Sequence, residues 1–354
     1  MQHFNLSWQR VRLPLNHTFT ISRGSKYHAN NVILRLQADE ITAYGEAAPN
    51  PRYNESPESV IGFFEKLELS EIINTGHVFD IRSVMEQVIG LGPDQHSAHA
   101  AVEMVLCDWI GKKLNLPLYR LWNAPASVGP QSSVTLGLGS MDELDEKLEE
   151  VQEYPILKIK LGSDSDCAII REIRKHTDKT LWVDANEGWT DLDEAKEMLG
   201  FLADNGVEII EQPMPASRFD DIKKLRKGSP LPIFADEGFT GRESLDAVVT
   251  AYHGINIKLM KIGGMTTALR TITRARQYGL KIMIGCMLES SLANTAGAIV
   301  SLFADYADLD GSFLLAEDPF KGFTFNENAF VTLNDEPGLG VSRVNRGETD
   351  LFNL

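Results

Sequence analysis

From about Ser132 onward the chain repeats one rhythm, in which short apolar runs alternate with longer stretches of helical periodicity. The short runs are SVTLGLG, ILKIKLG, LWVDANEG, VEIIEQP, PIFADEG, INIKLMKIGG, KIMIGCMLES and YADLDG. Short apolar runs bounded by Gly, Pro, Asn or Asp read as strands buried on both faces. Between them, DELDEKLEEVQEY, AIIREIRKHT, LDEAKEMLGFLADNG and TALRTITRARQYG place apolar residues every three or four positions, as surface helices do. Eight strand-like runs alternating with helices over roughly 180 residues predict a (β/α)8-type barrel. An open doubly wound sheet is the rival, but it calls for a Gly-rich phosphate loop after an early strand, and the sequence has none.

The first 120 or so residues read differently. NVILRL (residues 31–36) reads as a strand and GEAAPNPRYNES (residues 45–56) as a loop. Ser97 is expected to cap a helix, SAHAAVEMVLCDWIGKKLN. Strands followed by helices suggest an α+β unit. After about Phe325 no further β/α unit follows, and this tail is expected to pack back on the N-terminal part.

Composition changes little in this picture. The formal net charge of −16 argues against nucleic-acid binding, which needs clustered Lys and Arg. The three cysteines, Cys107, Cys167 and Cys286, are far apart, so neither a disulfide framework nor a Cys zinc site fits. The first residues carry no signal pattern, and no apolar run approaches the ~18 residues of a membrane span. A cytoplasmic setting without membrane attachment is therefore expected. Homo-oligomerisation is left open.

The candidate chemistry lies where the runs end, because reactive groups of a parallel barrel sit at the C-terminal ends of its strands. Lys158 and Lys160 close the second run, Asp184 and Asn186 the third, Glu211 the fourth, Asp236 the fifth and Lys258 the sixth. The steps 184−160=24, 211−184=27, 236−211=25 and 258−236=22 each span about one β/α unit, which puts the charges at one level around the mouth. Strand side chains alternate faces, so Lys158 and Lys160 point one way with Ile159 opposite. By the same parity Lys258 is expected to share a face with Asn256 and Met260, with Ile257 and Leu259 facing the helices.

Three carboxylates crowded into one cavity repel unless a cation joins them. All-oxygen ligation by Asp184, Glu211 and Asp236 favours Mg2+ over zinc. None of the eight histidines lies in an HExxH pattern or near these ends. A lysine acts as a base only when its pKa falls towards neutrality, and a like charge two residues away does that. Lys158 is thus the expected modulator, Lys160 the base, and Lys258 a second acid/base serving the opposite face of a planar intermediate. The metal would neutralise the enediolate left when a carboxylate substrate loses its α-proton. Lys261, of other parity than Lys258, is expected to be structural.

KIK (residues 158–160), DANEGW (184–189), EQP (211–213), ADE (235–237) and NIKLMKIGG (256–264) together resemble the enolase superfamily, in its muconate lactonising subgroup. The resemblance covers nearly the whole chain. It implies a modified TIM barrel, (β/α)7β, over residues 123–324. An α+β capping domain would come from residues 1–122, with residues 325–354 as a tail packed on it. It also implies Mg2+ on Asp184, Glu211 and Asp236, and Lys160 and Lys258 as the acid/base pair.

The last run reads Asp308-Leu309-Asp310-Gly311, a DxD similar to the pair with which dipeptide epimerases hold the substrate's α-ammonium group. Two carboxylates at one strand end suit a cationic amine. The implied substrate is a dipeptide whose carboxylate meets Mg2+ and whose C-terminal residue, glutamate or hydrophobic, is inverted at Cα. Side-chain preference is assigned to TFTISRGSKYH (residues 18–28), where Arg23 or Lys26 would pair with a glutamate side chain and Phe19 or Ile21 would line an apolar pocket. Thr135 is expected to touch substrate, and Tyr53, Cys286 and Glu289 to lie near the site. The rivals on this scaffold are o-succinylbenzoate synthase, N-succinylamino acid racemase and muconate cycloisomerase, none of which needs an amine clamp. A non-catalytic binding protein would have lost a ligand or a base, and none is missing.

Overall fold

The computed structural model describes residues 4–21, 24–75, 79–136 and 144–344. Three strands open the chain, β1 (Asn5–Ile21), β2 (Gly24–Ala38) and β3 (Ile41–Ala47), paired antiparallel in that order. The helices α1 (Pro57–Phe64), α2 (Leu69–Thr75), α3 (Ile81–Gly90) and α4 (His96–Leu114) follow, then the short α5 (Leu118–Leu121). Val32, Leu34 and Leu36 of β2 face Phe63, Phe64, Val105 and Trp109 of the helices, while Ile33 on the other face joins the core shared with the barrel. This two-sided burial explains why residues 31–36 read as a continuous apolar run. It also explains α4, whose residues Ser97 to Gly111 are all buried, one stripe on the sheet and another on the barrel.

Two local expectations need correction. Gly45–Ala47 belong to β3 and not to a loop. Ser97 is not the cap of α4: the helix begins at His96, and the Ser97 N–H donates to the Glu55 carboxylate at 3.0 Å. A carboxylate carried in from another loop does what the local hydroxyl was expected to do.

After β4 (Val128–Gln131) the chain runs β5 (Val134–Leu136), α6 (Leu144–Glu150), β6 (Ile156–Lys160), α7 (Asp166–His176), β7 (Thr180–Asp184), α8 (Leu192–Asp204) and β8 (Val207–Glu211). It continues α9 (Phe219–Gly228), β9 (Ile233–Ala235), α10 (Leu245–Ala251), β10 (Gly254–Lys258), the single turn α11 (Leu259–Ile262), α12 (Met265–Gln277), β11 (Lys281–Gly285), α13 (Ser291–Ser301) and β12 (Tyr306–Asp308). Each of the eight apolar runs thus supplies one strand. The strands β5 to β12 form one parallel sheet in sequential order, and a bridge between Ser132 and Ala307 joins its two ends. No helix follows β12 before the short strands β13 (Phe320–Lys321), β14 (Thr324–Phe325), β15 (Phe330–Thr332) and β16 (Ser342–Arg343), so the barrel is (β/α)7β. β15 pairs with both β14 and β4, while Gly338 packs against Gly111 of α4.

Alternation decides what fills the barrel. Ile156, Trp182, Ile209, Phe234, Met283 and Tyr306 point inward and pack into a closed apolar layer. Gly254 completes that layer by its lack of a side chain, since a Cβ there would overlap the Phe234 ring. The outward set, including Leu157, Ile159, Val183, Ile210, Ile257 and Ile284, packs under the helices. Among the described residues no helix is long and apolar enough to cross a membrane.

The N-terminal part grips the barrel through two buried glutamates. Glu46 of β3 accepts from the Ser290 N–H and hydroxyl at 3.1 and 2.5 Å, at the start of α13. Glu103 of α4 accepts from the Met265 and Thr266 N–H groups, which begin α12. Each carboxylate therefore closes a barrel helix that has no side-chain cap from its own donor set or supplements one that does.

His99 of α4 is almost fully buried beside Phe63 and His96, with Arg242 and Asp94 beyond. Burial, reinforced by the His96 charge, pulls its pKa from 6.5 down to about 4. The folded protein then holds it neutral while the unfolded chain protonates it, so this contribution is complete above about pH 6.5 and is lost as pH falls towards 4. The span corresponds to an upper bound of about 3 kcal/mol at ~1.4 kcal/mol per pH unit. His99→Gln is expected to flatten that part of the acid limb, read by urea unfolding at pH 7.5, 5.5 and 4.5. An unchanged difference between wild type and variant across those pH values would contradict it.

Candidate active site

Two residues beyond the apolar layer, the same inward positions turn polar at Lys158, Asp184, Glu211, Asp236, Asn256 and Asp308, with Gly285 between the last two. Strand pairing puts Lys160 beside Asp184 and Asp184 beside Glu211, and Lys258 beside Gly285 and Gly285 beside Asp308. The ring inferred from spacing is therefore a register in the sheet. In a closed ring of eight strands, β6 and β10 are four apart and stand opposite each other. Lys160 and Lys258 end those two strands, with the carboxylates of β7, β8 and β9 between them.

One oxygen from each of Asp184, Glu211 and Asp236 lies within 4.8 Å of the others, and all three residues are buried. Each carboxylate is fixed by a donor on one side. Asp184 Oδ1 accepts from the Asn186 N–H at 2.9 Å, Glu211 Oε1 from the Asn256 amide at 2.8 Å, and Asp236 Oδ1 from Lys261 Nζ at 2.6 Å. The other oxygens meet the inward lysines. Lys160 donates to Asp184 Oδ2 at 2.7 Å, Lys158 to Glu211 Oε2 at 2.8 Å, and Lys258 to Asp236 Oδ2 at 2.8 Å. Three convergent carboxylates with no nitrogen or sulfur ligand suit a small hard cation such as Mg2+.

Asn186 holds its φ at 44° and Glu187 at 67°, both left-handed, in the turn that follows β7. Non-glycine residues adopt that region at a cost and concentrate where function fixes the backbone. Gly285 leaves room for Asn256, since a Cβ there would lie 2.5 Å from Asn256 Oδ1. A side chain at 285 would displace the amide that holds Glu211.

Two of the inward amines are set by their carboxylate partners. Burial draws the Lys158 amine down, but Asp308, Glu211 and Asp184 outweigh it and hold the amine well above its usual value. Burial likewise opposes the charge on Lys258, and Asp236 and Glu211 hold it well up. Neither amine is poised near neutrality, because the carboxylates expected to bind metal pair with the lysines. A cation taken up by those carboxylates competes directly with the lysines for the same oxygens.

Both carboxylates of the DxD pair have partners within the chain. Asp308 Oδ2 accepts from Lys158 at 2.5 Å and its Oδ1 from the Ser133 hydroxyl at 2.7 Å. Asp310 Oδ2 accepts from the Thr135 N–H at 2.6 Å, so Thr135 supports Asp310 through its backbone. Asp310 Oδ1 lies 3.9 Å from the Cys286 thiol. Burial opposes ionisation of Asp308 but Lys158 and Lys160 hold its carboxyl below the usual range, whereas burial and the Asp308 charge raise Asp310.

From the N-terminal part, the Phe19 ring lies 5.8 Å from Lys160 Nζ. Lys26, paired in register with Phe19, is exposed. Arg23 and the Ile21 side chain lie outside the described residues. Tyr53 is near enough to Asp236 and Lys258 to feel both; burial and the Asp236 charge raise its phenol. Glu289 is buried, and desolvation and the neighbouring Glu46 raise its carboxyl well above the usual range.

Parity fails just beyond Lys258. The run INIKLMKIGG is a strand only to Lys258, then turns into α11, so Leu259 and Met260 do not alternate as strand residues. One helical turn swings Lys261 back under Asp236, fully buried. The Gly263-Gly264 pair, both at positive φ, was the available signal that the strand ends early.

Comparison with known proteins agrees with this geometry. Residues 142–345 match the enolase C-terminal domain-like family, and residues 6–122 match the mandelate racemase / muconate lactonizing enzyme N-terminal domain. An L-Ala-D/L-Glu epimerase of Bacteroides thetaiotaomicron is 38% identical over 94% of this chain and 86% of that one. An L-Ala-D/L-amino acid epimerase of Maribacter sp. is 37% identical over 95% and 98%. A crystal structure of a dipeptide epimerase from Enterococcus faecalis, complexed with Mg and L-Leu-L-Tyr, superposes with a TM-score of 0.87 at 28% identity, covering 97% of this chain and all of that one. With both halves matched and the carboxylate ring in register, the chain belongs to the enolase superfamily, in the mandelate racemase / muconate lactonizing enzyme family.

Proposed function

We propose that this protein is a Mg2+-dependent dipeptide epimerase that inverts the Cα of the C-terminal residue of an L-Ala-Xaa dipeptide, with Xaa glutamate or hydrophobic. The observation that carries this reading is the opposition of Lys160 and Lys258 across three carboxylates. Two of the relatives named above are an L-Ala-D/L-Glu epimerase and an L-Ala-D/L-amino acid epimerase, which supports an L-Ala dipeptide as substrate here.

The chain's own residues account for the proton's path. Lys160 Nζ, as the free amine, takes the Cα proton on one face while Lys258, as ammonium, returns a proton to the other face. The C–H bond broken at one face is replaced by a C–H bond at the other, and the two amines exchange protonation states. For the opposite stereoisomer their roles reverse. When bound by Asp184, Glu211 and Asp236, Mg2+ supplies positive charge to the substrate carboxylate beside the reacting carbon. Lys158 stays buried beneath Lys160 on the same face of β6, paired with Glu211 and Asp308, as the neighbouring positive charge in this step. Asp310, backed by Asp308, receives the substrate's ammonium group.

In this reading residues 1–122 and 325–354 form the cap, residues 123–324 the barrel, and Phe19, beside Lys160, meets the second side chain. The three free cysteines fit a reducing, cytoplasmic setting. The test is incubation of L-Ala-L-Xaa dipeptides in D2O with Mg2+, with NMR at the C-terminal Cα. Deuterium is expected at that carbon, lost on chelation with EDTA and restored by added Mg2+. No exchange with any acidic or apolar second residue would overturn the proposal.

A further inference from the structure

Among the described residues, Lys261 is a buried charge to which the proposed mechanism gives no work. Lys261 has no exposed side-chain surface, and all three of its N–H bonds are used: on Asp236 Oδ1 and Asp236 O, each at 2.6 Å, and on Asn256 O at 3.0 Å. Burying an ammonium is costly unless it is paired and fully hydrogen-bonded, and a barrel wall needs no cation for packing. What Lys261 touches is more telling than its burial. It joins the side chain of one expected metal ligand to the backbone of the residue that holds another, since the Asn256 amide donates to Glu211 Oε1.

We infer that Lys261 is a positioning residue for the cation site, which locks Asp236 so that Oδ2 alone is presented to the metal. The inference rests on the proposed Mg2+ site and deepens it. A carboxylate free to rotate can bind a cation through one oxygen or both. With Oδ1 held by an ammonium that cannot itself move, Asp236 has only Oδ2 to offer, on the side where Lys258 donates. Asn186 and Asn256 fix Asp184 and Glu211 in the same manner with neutral donors. The β9 strand stops at Ala235, one residue short of Asp236, so this ligand lacks the strand support that Asp184 and Glu211 have. A charged donor from α11 replaces it.

The probe is Mn2+, counted by EPR on purified full-length protein. Lys261→Met, which keeps the bulk and removes the donors, is expected to bind Mn2+ about 10- to 100-fold more weakly, the usual cost of losing a group that orients a metal ligand. Exchange activity of the variant is expected to recover as Mg2+ is raised by one to two decades, because the fault lies in affinity; a merely structural lesion would not be titrated away. Mn2+ affinity within twofold of wild type would overturn the inference. Should Lys261→Met fail to fold, a crystal structure of the wild type with Mn2+ decides: Asp236 bound through Oδ2 with the Lys261 contact kept is expected, and a bidentate Asp236 or a broken contact overturns it. Failure of the wild type itself to bind Mn2+ would instead count against the metal site of the proposed function.

Discussion

Lys160→Ala is expected to slow α-deuterium exchange from one stereoisomer of the dipeptide by about 10²–10⁴-fold, the range over which a positioned general base acts, while the other isomer still exchanges. Lys258→Ala should give the mirror result. The expectation follows from placement: the two amines end opposite strands, and neither can cross the carboxylate cluster to serve the other's face. Inversion needs both, so either variant should lose epimerisation while keeping one half of the exchange. Lys160 is a sound first choice because it sits at the mouth with 15% of its side chain exposed, and truncation there opens no sealed cavity. Asp184 Oδ2 retains the Asn186 amide at 3.1 Å after the lysine is gone. Equal residual exchange on both isomers of either variant would refute the two-face assignment.

The second large effect concerns the amine. Asp310→Asn is expected to lower kcat/KM for free dipeptides by about 10²–10³-fold, the cost of removing one partner of a buried, hydrogen-bonded charge pair at ~2–5 kcal/mol. Asparagine keeps an oxygen to accept the Thr135 N–H, so the loop should hold its shape and only the charge is lost. Asp308→Ala is the less clean variant, because Asp308 also pairs with Lys158 and its removal strips a buried ammonium of a partner. The discriminating measurement compares free and N-acetylated dipeptides in wild type and variant. Wild type should prefer the free amine strongly, and Asp310→Asn should nearly erase that preference. A variant that loses activity on both substrates equally would point away from an amine clamp and towards a racemase of N-acylated amino acids.

Most of the barrel could be seen in the chain because each strand there is buried on both faces and bounded by polar turns, which leaves an uninterrupted apolar run for every strand. The charged ring was visible for the same reason, as charges at the ends of such runs stand out. What stayed hidden depended on partners distant in sequence. Glu55 caps a helix that begins 41 residues later, 96−55=41, and no local pattern marks it. The faces of Leu259 and Met260 were misread because α11 breaks the alternation that parity assumes. The lysines' raised pKa values come from carboxylates at the ends of four different strands, which spacing lines up but cannot bring into contact.

Glu46 and Glu103 set a rule for chimeras. Transplanting this N-terminal part onto a related barrel would bring two carboxylates to helix starts selected to receive something else. Leaving it behind would expose the first turns of α12 and α13 with their N–H groups unanswered. A graft that carries Ser290, Met265 and Thr266 along with the two glutamates keeps both junctions whole. Recombination boundaries in this scaffold are therefore better drawn around those five residues than at the point in the chain where one half gives way to the other.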